Sequence, residues 1–231
     1  MKNFILVFEE LGIERTLFNL NVDNIFEAIT NTKFSQTTFL QIISQESFTP
    51  NELSILFSIF PCSIKKLVLT YLQLNIKSMN TLSTFFNRLQ LEYLDLSNNP
   101  LGDASTWIII DYIKQNSELK TLKLSNCQLT SDGIWPLLIV LSVKNFTCFD
   151  ISHNSLHISG ATYIENYLSN NAKIKILLLN STELSEGDIE TIIKAAGNTS
   201  GLETLDLREN QFIRWRQLPP SIKADMAPPM K

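Results

Sequence analysis

The sequence predicts an α/β fold: a curved solenoid with parallel β-strands on the concave face and α-helices on the convex face. Two observations predict it. A frame of apolar residues, Leu-x-x-Leu-x-Leu-x-x-Asn-x-Leu, returns along most of the 231 residues at near-constant spacing. Between successive frames lie amphipathic stretches that open with helix-start signals, so each repeat holds one strand and one helix.

The clearest copy is Leu91-Leu94-Leu96-Asn99-Leu101. The frame recurs at Leu119-Leu122-Leu124-Cys127-Leu129, Phe146-Phe149-Ile151-Asn154-Leu156, Ile174-Leu177-Leu179-Thr182-Leu184 and Leu202-Leu205-Leu207-Asn210-Phe212. Upstream, Ile64-Leu67-Leu69-Leu72-Leu74 fits except at the Asn position, and Thr37-Leu40-Ile42-Gln45-Ser47 is a weaker copy. The starts fall at 37, 64, 91, 119, 146, 174 and 202, so the steps are 27, 27, 28, 27, 28 and 28. The Leu-x-Leu centre alternates between two faces, as a strand does, and is too short to stand without neighbours.

Helices are expected at 51–60, 76–87, 103–115, 131–142, 160–170 and 187–196. Thr49-Pro50-Asn51-Glu52 combines an N-cap, a proline at the first helical position and a capping-box glutamate. Ser185 and Asp188 repeat that start in a looser form. Ile108, Ile109, Tyr112 and Ile113, and likewise Ile189, Ile192 and Ile193, supply one buried stripe each. Residues 1–36 lose the frame but keep helix-like patterning at Val22–Thr30, and read as an N-terminal cap. Residues 37–212 are the solenoid, about seven repeats. Residues 213–231, with Pro219-Pro220 and Pro228-Pro229, are a C-terminal tail, either flexible or an extended cover. Within it Arg214-Trp215-Arg216 reads as a solenoid end-cap or a contact point. Trp107 and Trp135, at helix starts on the outer side, read as packing residues.

On these residues the chain resembles the leucine-rich repeat family, in the ribonuclease-inhibitor-like class. The resemblance implies a buried ladder of asparagines at the ninth frame position. Asn99, Asn154 and Asn210 occupy it and Cys127 is a family alternative, whereas Gln45, Leu72 and Thr182 would interrupt it. It also implies a noncatalytic protein–protein interaction module that binds a protein partner through the concave sheet. The repeat length is similar to that of Ran GTPase-activating proteins and tropomodulins, which implies an alternative role in regulating a small GTPase or actin. The enrichment in Ile, Asn, Ser and Lys resembles that of translocated effectors of intracellular bacteria, which implies a host protein as partner.

Composition narrows the chemistry. The chain is 44% hydrophobic and 18% charged with a net charge of −4, so a core is available and a basic footprint for nucleic acid or an anionic membrane is not. Seven Gly and two His leave little material for phosphate loops or histidine metal sites, and no cofactor or metal is expected. Cys62, Cys127 and Cys148 follow no disulfide or zinc spacing. The apolar run Phe4–Phe8 is too short for a signal peptide, and Ile134–Leu141 too short for a bilayer span. A cytoplasmic setting follows, of the producing cell or of a host.

Period-two alternation places the third, fifth and seventh residues of each copy on the outward face of the sheet. The candidate partner-binding residues are Tyr93, Asp95, Lys123, Cys148, Asp150, Ile176, Leu178, Asp206 and Arg208. Asp95, Lys123 and Asp150 alternate in sign along the fifth-position row, where neighbours can pair. Cys148, Ile176 and Leu178 form an apolar group beside them, with Tyr93 further along, and an apolar group ringed by charge suits a hot spot. Cys148 and His153 lie too far apart along an extended chain for a nucleophile–base pair, so no catalytic residue is expected.

Overall fold

In the computed structural model the described residues are 3–10, 13–21, 23–30, 32–44, 46–170 and 173–210. They form one nine-stranded sheet backed by a row of helices. Its parallel part runs β3 (Phe39–Ser44), β4 (Lys66–Val68), β5 (Tyr93–Asp95), β6 (Thr121–Lys123), β7 (Cys148–Asp150), β8 (Ile176–Leu178) and β9 (Thr204–Asp206). Each pairs with the next in the register the frame dictates, as in Leu94↔Leu122↔Phe149↔Leu177↔Leu205. The middle residue of each short strand is buried. The helices are α2 (Pro50–Ser58), α3 (Ile76–Phe86), α4 (Thr106–Gln115), α5 (Ser131–Ser142), α6 (His157–Asn170) and α7 (Glu186–Gly197). Helices pack 8–10 Å apart and strands about 4.8 Å, so stacking both in one repeat curves the solenoid with the sheet inside.

The helix starts follow the sequence. Thr49 and Glu52 close a capping box, the Thr49 N–H donating to Oε2 at 2.7 Å and the Glu52 N–H donating to Oγ1 at 3.2 Å. Ser185 and Asp188 make the same reciprocal pair before α7. The region 103–115 divides into a 3₁₀ turn at Asp103–Ser105 and then α4.

The loop leaving each strand follows a fixed rule. From the copy at 64 onward the eighth frame residue is left-handed: Tyr71, Asn98, Asn126, His153, Ser181 and Glu209, with φ between 52° and 61°. Each costs on the order of 1 kcal/mol in a residue with a Cβ. The turn aims the ninth residue back under the sheet. There the Asn154 Oδ1 accepts from the N–H of Cys127 (3.0 Å) and Leu129 (2.9 Å), while Nδ2 donates to the carbonyls of Leu124, Ile151 and Ser152 at 2.8, 2.9 and 3.1 Å. Asn99 does the same for Leu72 and Leu74, and Asn210 for Thr182 and Leu184. Where Asn is absent, the Cys127 thiol and the Thr182 hydroxyl each donate to a carbonyl of the repeat before or of their own strand, at 3.3 Å to Leu96 and 2.7 Å to Leu179. The ladder is thus alternate rather than continuous, and every Asn serves the loop of the preceding repeat that lacks one. Gln45 lies outside the described residues.

At the N-terminal end, β1 (Phe4–Glu10) and β2 (Ile13–Leu20) form an antiparallel hairpin, and β1 lies against β3 with Leu6 opposite Ile42 and Phe8 opposite Leu40. The helix expected at Val22–Thr30 is the single turn α1 (Ile25–Ile29). Edge-on ring contacts carry the core from this end into the repeats: Phe8–Phe34 at 5.1 Å, Phe34–Phe60 at 5.7 Å and Phe57–Phe60 at 5.0 Å. The tail and its Arg214-Trp215-Arg216 lie outside the described residues.

Candidate functional site

The sheet register brings the predicted residues into two ladders on the concave face. The third-position ladder is Tyr93↔Thr121↔Cys148↔Ile176↔Thr204, and the fifth-position ladder is Asp95↔Lys123↔Asp150↔Leu178↔Asp206. Cys148 and Ile176 are neighbours, and Leu178 stands on the same face two residues beyond Ile176, between Asp150 and Asp206. All three are half-buried, so an apolar surface is open on β7 and β8.

Tyr93 does not border that group. Thr121 separates it from Cys148, a distance of about 10 Å across two strands. Tyr93 belongs instead to the charged end: its hydroxyl donates to Asp95 Oδ2 at 3.4 Å, and the Lys123 ammonium stands 5.7 Å from its ring centroid. Among the described residues Lys123 makes no ion pair within 4 Å, so the alternating charges act across space rather than in contact. Burial works against the Lys123 charge, but Tyr93, Asp95 and Asp150 outweigh it and hold its pKa above the usual lysine value. Burial, aided by the Asp95 charge, raises the Tyr93 phenol.

The aspartates carry a structural duty that the pattern did not reveal. Asp95, Asp150 and Asp206 each accept, through Oδ1, the N–H two residues on, from Ser97, Ser152 and Arg208 at 3.0, 3.1 and 3.1 Å. These short side-chain turns bend the chain out of the strand. Asp206 is furthest from the expected role. It is only 7% exposed, and Arg208 Nε and Nη2 grip its carboxylate at 2.9 and 2.6 Å. Burial alone would raise its pKa, but the hydrogen bonds and charge of Arg208 win, and the carboxyl is held below the usual range. Arg208 itself is exposed at this end of the face. The seventh-position row is also less open than alternation implies: Ser97 and Ser152 are buried, and the Ser152 hydroxyl has no partner among the described residues.

The thiols of Cys127 and Cys148 are poorly suited to nucleophilic work. Burial raises the Cys148 thiol, with Lys123 opposing and Asp150 adding, and burial pushes Cys127 up to about 12. The His153 Nε2 meets the Asn180 side chain at 3.1 Å, while His157 pairs with Glu183 at 3.4 Å. No cluster of three or more His, Cys, Asp or Glu side chains among the described residues is placed to hold a metal ion. No helix among them is long and apolar enough to cross a membrane. On the outer side, the packing role expected of the tryptophans fails for Trp107, whose ring stands mostly in solvent, and holds in part for Trp135, which stacks on Tyr163 with centroids 4.5 Å apart.

Comparison with known proteins agrees with the repeat. Two profiles, both described as leucine-rich repeat, match residues 90–115 and 115–137. The mouse (Mus musculus) ribonuclease inhibitor is 28% identical over 155 residues, covering 65% of this chain and 34% of the relative. The pig (Sus scrofa) ribonuclease inhibitor is 29% identical over 156 residues, covering 64% and 34%. The chain therefore spans about a third of the length of the ribonuclease inhibitors it matches. A similar solved structure is the tropomodulin C-terminal domain of Caenorhabditis elegans, with a TM-score of 0.49, 13% identity and coverage of 66% of this chain and 93% of that one.

Proposed function

We propose that this chain, a leucine-rich repeat protein of the ribonuclease-inhibitor-like class, is a noncatalytic module that holds a protein partner against its concave sheet. The observation that carries the reading is the half-open apolar group Cys148, Ile176 and Leu178, bordered on one side by Asp150 and the Lys123–Tyr93–Asp95 cluster and on the other by Asp206 and Arg208, on a sheet whose register fixes every position. Such a surface is ordered before it binds, so little conformational entropy is lost on association. An apolar centre with a charged border is the arrangement in which a few residues carry most of an interface. The ribonuclease inhibitors it resembles are named for acting on another protein, which agrees with this reading.

The structure also dictates how to test it. Reversing Asp206 would strip Arg208 of its partner inside the fold, and replacing Asp95 or Asp150 by Lys would break their turns. Asp95→Asn and Asp150→Asn keep the accepting oxygen and remove the charge. Combined with Leu178→Glu and Lys123→Glu, they alter the face and spare the scaffold. Affinity capture from a eukaryotic lysate with the native chain, repeated with this variant, is the experiment. Partners lost in the variant while its circular dichroism is unchanged support the concave site; retention of every partner refutes it.

A further inference from the structure

The convex surface carries a feature that the concave reading does not use. Trp135 on α5 stacks on Tyr163 of α6 with ring centroids 4.5 Å apart, and Trp107 stands on α4 at the frame position that Trp135 holds in the next copy. Helix α5 is unusual among the helices in being apolar on its solvent side as well. Trp135, Ile139 and Val143 follow one another at four-residue intervals and are 39%, 50% and 81% exposed. At corresponding outer positions the copy at 64 carries Asn80, Thr84 and Arg88, and the copy at 174 carries Glu190, Lys194 and Asn198, all exposed. A helix apolar all round belongs in an interior, not at a water surface. A groove of about 160 Å³ between α5 and α6, lined by Trp135, Leu138, Ile139, Tyr163 and Tyr167, lies alongside the stripe.

We propose that this stripe is the contact through which two copies of the chain associate, α5 against α5 in antiparallel. Three observations favour a second copy as the occupant. Trp135 and Val143 lie four residues either side of Ile139, so a two-fold axis at Ile139 sets the large ring of one copy against the small side chain of the other, over a seam of about 12 Å. The charges at the ends are complementary under the same operation. Asp132 stands exposed in the first turn, and Lys144 follows the last turn, its ammonium reaching the Lys114 carbonyl at 3.1 Å. Antiparallel docking brings Asp132 of each copy within about one turn of Lys144 of the other. The area also suffices. The exposed parts of Trp107, Trp135, Ile139 and Val143 amount to roughly 450 Å². That is the apolar share of an interface burying about 800 Å² per partner. The Trp135–Tyr163 stack fixes the central ring in place before docking, which lowers the ordering cost.

Sedimentation velocity on the full chain from about 1 to 100 μM decides the matter, the range in which an interface of this size associates. The native chain is expected to be a dimer at the upper concentration. Ile139→Glu combined with Val143→Glu should raise the dissociation constant at least about 100-fold, as hot-spot losses do. Both side chains face solvent in the single copy, so circular dichroism should be unchanged. Asp132→Lys or Lys144→Glu alone should weaken the dimer several-fold, and the two together should restore it. A native chain that stays monomeric at about 100 μM overturns the proposal and gives the stripe to another kind of partner. A dimer indifferent to the glutamates overturns it as well, and failure of the charge swap to rescue removes the antiparallel two-fold. The concave-face variant should dimerise normally, which separates this contact from the partner site.

Discussion

Asn154→Ala tests what holds the solenoid's loops in place. The side chain satisfies five backbone groups, of which the N–H of Cys127 and of Leu129 matter most. A carbonyl has a second lone pair for another donor, whereas an N–H has one hydrogen and is simply orphaned. Each buried orphan costs about 1–3 kcal/mol, and water reaching the collapsed loop recovers a part, so the loss should be about 3–5 kcal/mol. It should also be local. Repeat arrays depart from two-state unfolding, so a urea midpoint alone is insufficient and amide hydrogen exchange at Cys127 and Leu129 supplies the second readout. Both amides should lose protection while Leu72 and Leu74, bonded to Asn99, keep theirs. Asn170→Ala, on the exposed end of α6, serves as the control and should stay within about 0.5 kcal/mol. A loss under about 1 kcal/mol for Asn154→Ala, or unchanged protection at its two donors, would refute the argument.

Gly133→Ala should destabilise by about 1–3 kcal/mol, although alanine is the better helix former. A Cβ at that site in α5 would meet the Asp103 carboxylate at 2.2 Å and its Cα at 3.0 Å, while that carboxylate holds the Thr130 N–H at 2.8 Å; thermal unfolding gives the sign. Native-state titration with a thiol reagent should label the exposed Cys62 first and Cys148 slowly, and Cys127 only on unfolding, since burial holds its thiol near 12; early labelling of Cys127 would contradict the packing. Asp206 has a depressed folded pKa, so its contribution is present above the unfolded value of 3.8 and is lost as pH falls through the lower folded one. In Arg208→Met the backbone N–H stays but the guanidinium's hydrogen bonds and charge are lost, so the folded pKa rises toward the unfolded one. The fall of urea midpoint on acidification should then become shallower; an unchanged slope argues against the pair.

The repeat was legible because it is a one-dimensional pattern: Leu94, Leu122 and Phe149 announce strand, register and burial together. Thr49 and Glu52 were legible because capping is local chemistry. The N-terminal hairpin was not, since its partner β3 lies some thirty residues away and the alternation in Ile13–Leu20 resembles any short amphipathic run. Nor did period-two reasoning reveal the duty that each of these aspartates has toward its own backbone. It placed the carboxylates of Asp95, Asp150 and Asp206 on the right face but said nothing of the N–H two residues on, or of the arginine that closes over the last. The ladder set Tyr93 two strands from Cys148, but its hydrogen bond to Asp95 and its approach to Lys123 depend on side-chain direction, which a ladder position does not fix.

The alternation of the asparagine ladder sets the quantum in which this molecule can be cut or lengthened. Asn99, Asn154 and Asn210 each fasten the repeat before them, so the copies at 64 and 91, at 119 and 146, and at 174 and 202 are stapled as couples. Excising both members of a couple leaves every remaining staple with its own loop. Excising the Asn-bearing member alone strands the loop N–H groups of the copy before it, which then faces a neighbour without the amide. The natural unit for shortening or lengthening such an array is therefore two repeats, and loops should open couple by couple rather than one at a time.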